Sequence, residues 1–310
     1  MNNFCTLADN NFTEKVLALN ASLKRHQSDY TLHLLCVDDQ IFEKCNEPNI
    51  KKYKLADLLE ADPVLRQAQS NPPSREALIN TANNTGDATR LQFMWALASY
   101  FTWWCMENLP VDDVLYIDSD IYFFRDLSNL RRSVEECSVG IVEHRCSYNP
   151  VNGKYNVGIV YFKNNFEGYK VLTWWKNCLL KPDNEYAKTH GTCGDQKYLE
   201  VFEELTEEVK ILDSDIGHLA PWNFIFHEYT TDGKIRWSNY TQDLLYCHFS
   251  NFKPDYKNNS YQLAPRHGFV SAPMGTEVQR HFIKHIADQY YNDLKEAHEK
   301  TKNSLRDDSI

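Results

Sequence analysis

The residues with the clearest chemical potential are Asp118 and Asp120, in the segment Val114–Phe124, VLYIDSDIYFF. Val114–Ile117 reads as a buried strand, and two carboxylates at its end need water or a cation, because an unpaired buried charge is expensive. On an extended or turning backbone, residues i and i+2 point the same way, so both side chains reach one hard divalent cation that takes oxygen ligands. The plain alternative is a solvated turn at a strand end.

The elements that must position this pair follow from apolar patterning. Phe4–Ala8 is a short apolar strand, and Asp9-Asn10-Asn11 caps a helix bearing Phe12, Val16, Leu19 and Leu23 on one face. Thr31–Val37 is a second strand, stopping at Asp38-Asp39, so the opening is a β-α-β unit with parallel strands. Carboxylates at such strand ends mark where ligands collect. Residues 40–86, broken by Pro48, Pro63, Pro72 and Pro73, read as helices and loops over a sheet edge. A long buried helix spans Thr89–Glu107. Strands follow near Val139–Val142 and Val157–Phe162, then a helix with Trp174 and Trp175, a Gly191–Gly194 turn and a late strand at Leu244–Phe249. A terminal helix, Glu277–Lys302, carries Phe282, Ile286, Tyr290 and Leu294 on one face, and Asn303–Ile310 reads as a loose tail. Trp103, Trp104, Trp174 and Trp175 lie in helical apolar runs and are read as core.

A net charge of −10 excludes a broad electrostatic grip on nucleic acid, so an anionic ligand must be held locally by a few cations, a helix N-terminus or a metal. Nine scattered cysteines without a C-x-x-C pair point to reduced thiols and a cytoplasmic setting. Five N-x-S/T sequons, at Asn11, Asn20, Asn83, Asn239 and Asn258, matter only on a secretory route that nothing else supports. The longest uncharged run, Leu91–Met106, is shorter than the roughly 20 residues that span a bilayer. No transmembrane segment is expected, and the terminal helix is compatible with peripheral membrane contact.

Several motifs in order resemble those of the metal-dependent nucleotide-sugar glycosyltransferases of the GT-A fold, and within them the glycogenin-like family 8 enzymes. They are FCTLAD (Phe4–Asp9), Thr89-Arg90-Leu91, YIDSD ending at Asp120, YNVGIVYF (Tyr155–Phe162), Gly194-Asp195-Gln196 and HFSNFKP (His248–Pro254). The His-to-Lys spacing in the last is one residue shorter than the family's, and Asn251 stands where the family has glycine. The resemblance implies an α/β GT-A fold: a Rossmann-like, mixed but mostly parallel sheet flanked by helices. Residues 1–260 would form the transferase domain and 261–310 a helical C-terminal extension. It implies that Leu7, Ala8 and Asp9 contact the nucleoside, that Ser119 and Asp118 lie on the donor, and that Asp118, Asp120 and His248 hold Mn²⁺ or Mg²⁺. The imidazole favours manganese.

A sugar nucleotide brings a diphosphate leaving group, which an acidic protein must neutralise; Arg90 and Lys253 are the candidate cations. Asn156, Asp195 and Gln196 are the candidate catalytic residues, suited to directed hydrogen bonds with sugar hydroxyls. Trp222 is the acceptor-side candidate, and Asp215 and His218 either line the same cleft or sit in a turn. The expected reaction is sugar transfer from a nucleotide-sugar donor, a UDP-sugar by resemblance, to a glycan or lipid-linked acceptor with retention of configuration. The rival is a haloacid dehalogenase-type phosphatase with Asp118 as nucleophile. In that family the acidic pair opens the domain, whereas here it lies at residue 118 and HFSNFKP has no role.

Overall fold

The computed structural model describes residues 1–70, 88–148, 152–181, 194–264 and 276–307. Asn83, the Pro72-Pro73 pair, Gly191–Cys193 and residues 308–310 lie outside them. Strand β1 (Asn3–Ala8) leads through Asp9 into α1 (Thr13–His26), β2 (Thr31–Cys36) and α2 (Asp39–Lys44). Two aspartates make these turns. Asp9 Oδ1 accepts from Asn11 N at 3.0 Å, capping a short 3-10 turn (Asn10–Phe12) that runs into α1, whose own start carries no side-chain cap, and Asp38 Oδ1 accepts from Ile41 N at 3.0 Å, capping α2.

The expected irregular segment contains a strand, β3 (Ile50–Lys54, IKKYK), followed by α3 (Leu55–Ala61) and α4 (Pro63–Ser70). Its lysines hid it: an edge strand carries charge on its open side, so its apolar content is low. The long helix α5 (Ala88–Asn108) precedes β4 (Asp113–Ile117), β5 (Ile121–Phe123) and α6 (Ser128–Val134). After them come β6 (Val139–Glu143), β7 (Tyr155–Lys163), α7 (Phe166–Leu180) and a short helical stretch ending in α8 (Phe202–Leu205).

The central sheet has the order β3-β2-β1-β4-β7-β6-β8, where β8 is Val209–Ile211. Pairings β1/β2, β2/β3, β1/β4 and β6/β8 are parallel; β4/β7 and β6/β7 are antiparallel. A smaller sheet is built from β9 (Gly217–Leu219), β10 (Glu228–Tyr229), β11 (Lys234–Trp237), β12 (Tyr240–His248) and β5, in the order β10-β11-β12-β5 with β9 beside β12. A hairpin of β13 (Lys253–Asp255) and β14 (Ser260–Gln262) follows, and α9 (Glu277–Asp307) closes the described chain. The expected tail is therefore helical as far as Asp307.

Helices α5 and α7 cover one face of the central sheet, with Trp175 fully buried between Phe162 and Phe202, while α1 covers the other through Val16, Leu19 and Leu23. Ile286, Tyr290 and Leu294 of α9 join a third cluster with Ala18, Tyr122 and Phe249, Tyr290 stacking on Phe249 at 4.3 Å. The terminal helix is thus packed into the molecule, and among the described residues no helix is long and apolar enough to cross a membrane. Cys5, Cys36, Cys45, Cys105, Cys137, Cys146 and Cys247 are free thiols.

Candidate active site

Asp118-Ser119-Asp120 is the turn by which the chain leaves the central sheet at β4 and enters the small sheet at β5. Its start is tied to β7, Asp118 N donating to Gly158 O at 2.8 Å, and its end to β12, Phe249 N donating to Asp120 O at 2.8 Å. Residue His248 faces Ile121 in the β5/β12 register, which brings its ring to the acidic pair. His248 Nε2 is 3.0 Å from Asp120 Oδ1 and 3.6 Å from Asp118 Oδ2. One ligand atom from each residue lies within 4.8 Å of the others.

Asn156 orients that imidazole. Its Oδ1 accepts from Gly158 N at 2.9 Å, which fixes the amide, and lies 3.3 Å from His248 Nδ1. Nδ1 therefore carries a proton toward Asn156, and Nε2, which donates to Asp120 when no cation lies between them, is the nitrogen that faces the carboxylates, as in a metal-binding histidine held by an outer partner. Gly158 makes room: a Cβ there would lie 2.6 Å from His248 Nδ1 and 2.7 Å from Asn156 Oδ1. In the Asn-x-Gly segment, then, both named residues contact the histidine, while Asn156 Nδ2 lies 3.5 Å from Gln196 Oε1 on the cleft side.

The electrostatics fit a cation. Burial and the neighbouring Asp120 charge push the Asp118 carboxyl up against the pull of His248, while Tyr116 OH donates to Asp118 Oδ1 at 2.7 Å. Burial also penalises a charged Asp120, but Lys15 and His248 outweigh it and hold this carboxyl well below the usual range. His248 is raised: burial opposes its charge, and the two aspartates overcome it. Two carboxylates and one imidazole form a mixed oxygen and nitrogen set that suits a divalent first-row cation such as Mn²⁺.

These residues line a cleft of about 870 Å³. Leu7, Ala8 and Asp9 form one part at the end of β1, with Asp9 Oδ2 bound to Arg90 Nη2 of α5 at 2.6 Å. Ser119, Asn156, Asp195, Gln196 and Trp222 also line it. Asp195 is buried, and burial followed by the Asp118 charge raises its carboxyl well above the ordinary value. Gly194 before it has φ +57°, and a Cβ there would meet the Trp95 ring at 2.8 Å, so this turn requires glycine.

Lys253 is placed elsewhere. Its side chain is exposed on β13 and is not among the residues lining the cleft. The shortened HFSNFKP segment turns at Asn251, φ +58°, in the left-handed region where a glycine is cheapest and asparagine is tolerated. Asp215 and His218 do not line the cleft either: Asp215 pairs with Lys210 at 2.9 Å, and His218 stacks on Tyr246 beside Asp213.

The tertiary structure adds residues that carried no sequence signal. Lys15 of α1 places Nζ 3.3 Å from Asp120 Oδ2. His144, Cys146, Ser147 and Tyr148 form a wall of the cleft, anchored by Arg145. The Arg145 side chain is fully buried, with φ 53°, and Nε reaches Asp213 Oδ1 at 2.6 Å while Nη2 reaches the Asp213 and Ile216 carbonyls at 2.7 and 2.8 Å. His144 O in turn accepts from Trp222 Nε1 at 3.1 Å, and the Trp222 ring stands edge-on to His248 at 5.2 Å.

No family model matches the chain. Two uncharacterized proteins of Bacillus subtilis are similar in sequence. YfnF is 25% identical over 266 residues, covering 81% of this chain and 81% of its own length; YfnD is 27% identical over 266 residues, covering 80% and 77%. Among solved structures, mouse xyloside xylosyltransferase 1 in its apo form superposes with a TM-score of 0.50 at 12% identity, over 83% of this chain and 98% of that one. The chain has the GT-A fold, with its mixed, mostly parallel sheet flanked by helices and its C-terminal helix.

Proposed function

We propose that this protein is a metal-dependent glycosyltransferase that moves a sugar from a nucleoside-diphosphate sugar, a UDP-sugar by resemblance, to a glycan or lipid-linked acceptor. The observation that carries this reading is the convergence of Asp118, Asp120 and His248 within 4.8 Å at the edge of the GT-A cleft. These three residues would hold Mn²⁺ or Mg²⁺, which when bound supplies positive charge for the diphosphate leaving group. Residues 1–260 are taken as the transferase unit and 261–310 as its extension.

The chain's own residues divide the remaining work. Leu7, Ala8 and Asp9 hold the nucleoside, with Arg90 fixing the Asp9 carboxylate through their 2.6 Å contact. Tyr116 and Lys15 orient the two aspartates, and Asn156 orients His248. Asp195 and Gln196 support the transferring sugar. Trp222 and the exposed Tyr148 offer aromatic faces on which an acceptor sugar stacks.

Retention is favoured by the Asn-x-Gly and Asp-Gln segments, which resemble those of retaining family 8 enzymes. In a front-face route the bond from the anomeric carbon to the phosphate oxygen breaks as that from the acceptor oxygen forms, and the acceptor proton passes to the leaving phosphate. The phosphatase reading needs Asp118 free to attack phosphorus, and the 2.7 Å bond from Tyr116 with His248 close by speaks for a ligand instead.

A panel of sugar nucleotides, each with Mn²⁺, Mg²⁺ or EDTA, tests the proposal. A metal-dependent rise in Tm with one donor, followed by transfer to oligosaccharide acceptors, is expected, with proton NMR of the first product showing a retained anomer. Turnover of p-nitrophenyl phosphate without any sugar-nucleotide response overturns it.

A further inference from the structure

We infer that Lys15 makes metal binding depend on the donor, by holding the cation position on Asp120 until a diphosphate arrives. The inference rests on the reading that Asp118, Asp120 and His248 form the metal site.

Both oxygens of Asp120 are engaged. Oδ1 faces His248 Nε2 at 3.0 Å and Oδ2 faces Lys15 Nζ at 3.3 Å. Lys15 is well placed to stay there: its side chain is 14% exposed, and its ammonium lies 4.2 Å from the centre of the Phe12 ring. A cation over an aromatic face, tied to a nearly buried carboxylate, is held by two favourable partners at once. Phe12 and Asp120 both line the cleft, so the ammonium stands at its edge. The only Arg or Lys among the described residues lining the cleft is Arg90, which is paired with Asp9 at the nucleoside end.

A divalent cation that takes Asp120 meets a fixed positive charge on the same carboxylate. Like charges in a poorly screened site repel, so metal alone binds against Lys15. A nucleoside diphosphate reverses the balance, because its negative charges give the ammonium a second anionic partner while they ligate the metal. Metal and donor therefore enter as a coupled pair, each raising the affinity for the other by the same factor. Arg25 and Lys24, also on α1, do not enter this balance: Arg25 is committed to Asp293 and Tyr122 at the helix's far end, and Lys24 is exposed.

The test is a Mn²⁺ titration read by the electron paramagnetic resonance of the free ion, with and without UDP, correcting for the Mn²⁺–UDP complex in solution. Wild type is expected to bind Mn²⁺ weakly alone and at least roughly tenfold more tightly with UDP, a free-energy step ordinary for one coupled charge. Lys15→Met should bind Mn²⁺ alone roughly tenfold more tightly than wild type and gain less from UDP, whereas Lys15→Arg should behave as wild type. Lys15→Met that binds Mn²⁺ alone with unchanged or lower affinity overturns the inference. Wild-type affinity that is the same with and without UDP also overturns it, without any variant. If the Asp118→Asn, Asp120→Asn double variant binds Mn²⁺ as well as wild type, the metal site itself is elsewhere, and the underlying reading fails along with the inference.

Discussion

His248 sits opposite Ile121 in the antiparallel pairing of β5 with β12, and that register places its Nε2 3.0 Å from Asp120 Oδ1. A slip of one residue would turn the imidazole to the other face of the sheet. The candidate metal site is therefore a property of strand pairing, with Asn156 and Gly158 of β7 holding the ring from behind.

Asp120→Asn keeps the shape of the side chain and removes its charge. Transfer should fall by at least roughly a thousandfold, about 4 kcal/mol of lost stabilisation in the transition state, while circular dichroism stays that of wild type. Steady-state kinetics with donor and Mn²⁺ check this; near-normal kcat in the variant would remove Asp120 from the site.

Gly158→Ala puts a methyl into the space of His248 Nδ1 and Asn156 Oδ1. Neither can move without giving up the other, so the ring must leave Asp120. We expect a stability loss of about 1–3 kcal/mol and a larger proportional loss of Mn²⁺ affinity. Asn156→Ala, which adds no bulk, should cost roughly 10–100-fold in Mn²⁺ affinity with a smaller change in Tm. Calorimetric metal titration beside thermal unfolding separates the two effects.

Arg145 and Asp213 form a buried ion pair that also anchors the wall carrying His144 and Tyr148. Asp213→Asn strands the guanidinium in a buried site, and breaking one side of such a pair costs about 3–5 kcal/mol. Urea unfolding should show a lower midpoint with an unchanged slope; a variant as stable as wild type would mean that water already satisfies Arg145.

Three buried histidines should each lose a stabilising contribution in acid well above the carboxylate range. Burial, aided by Lys51, lowers His33 to about 4. Burial lowers His218 to about 4 and His227 to about 3, Arg145 adding to both. The unfolded chain takes up these protons from about pH 6.5 downward, whereas the folded protein holds the rings neutral, so the stability these three rings contribute is lost as pH drops from 6.5 toward 4. For His33 alone the loss between pH 7 and 5 is about 2 kcal/mol. His33→Gln, measured by Tm across that range, should show a shallower pH dependence than wild type; an identical profile would exclude His33 as a contributor.

Some of this was legible in the chain because it is local. An apolar run entering Asp118-Ser119-Asp120, and aspartates capping the turns that follow β1 and β2, each act over a few residues, so burial cost and capping chemistry alone determined a parallel α/β opening with carboxylates at a strand end. Tertiary structure decided the rest. Lys15 meets Asp120 because α1 packs beside β5, Lys253 is carried out of the cleft by the turn at Asn251, and β3 joins the sheet despite its lysines because β2 offers it an open edge. Such contacts leave no spacing signature, since they come from strand register and helix packing between segments far apart in the chain, and the free energy that selects them is spread over the shared core.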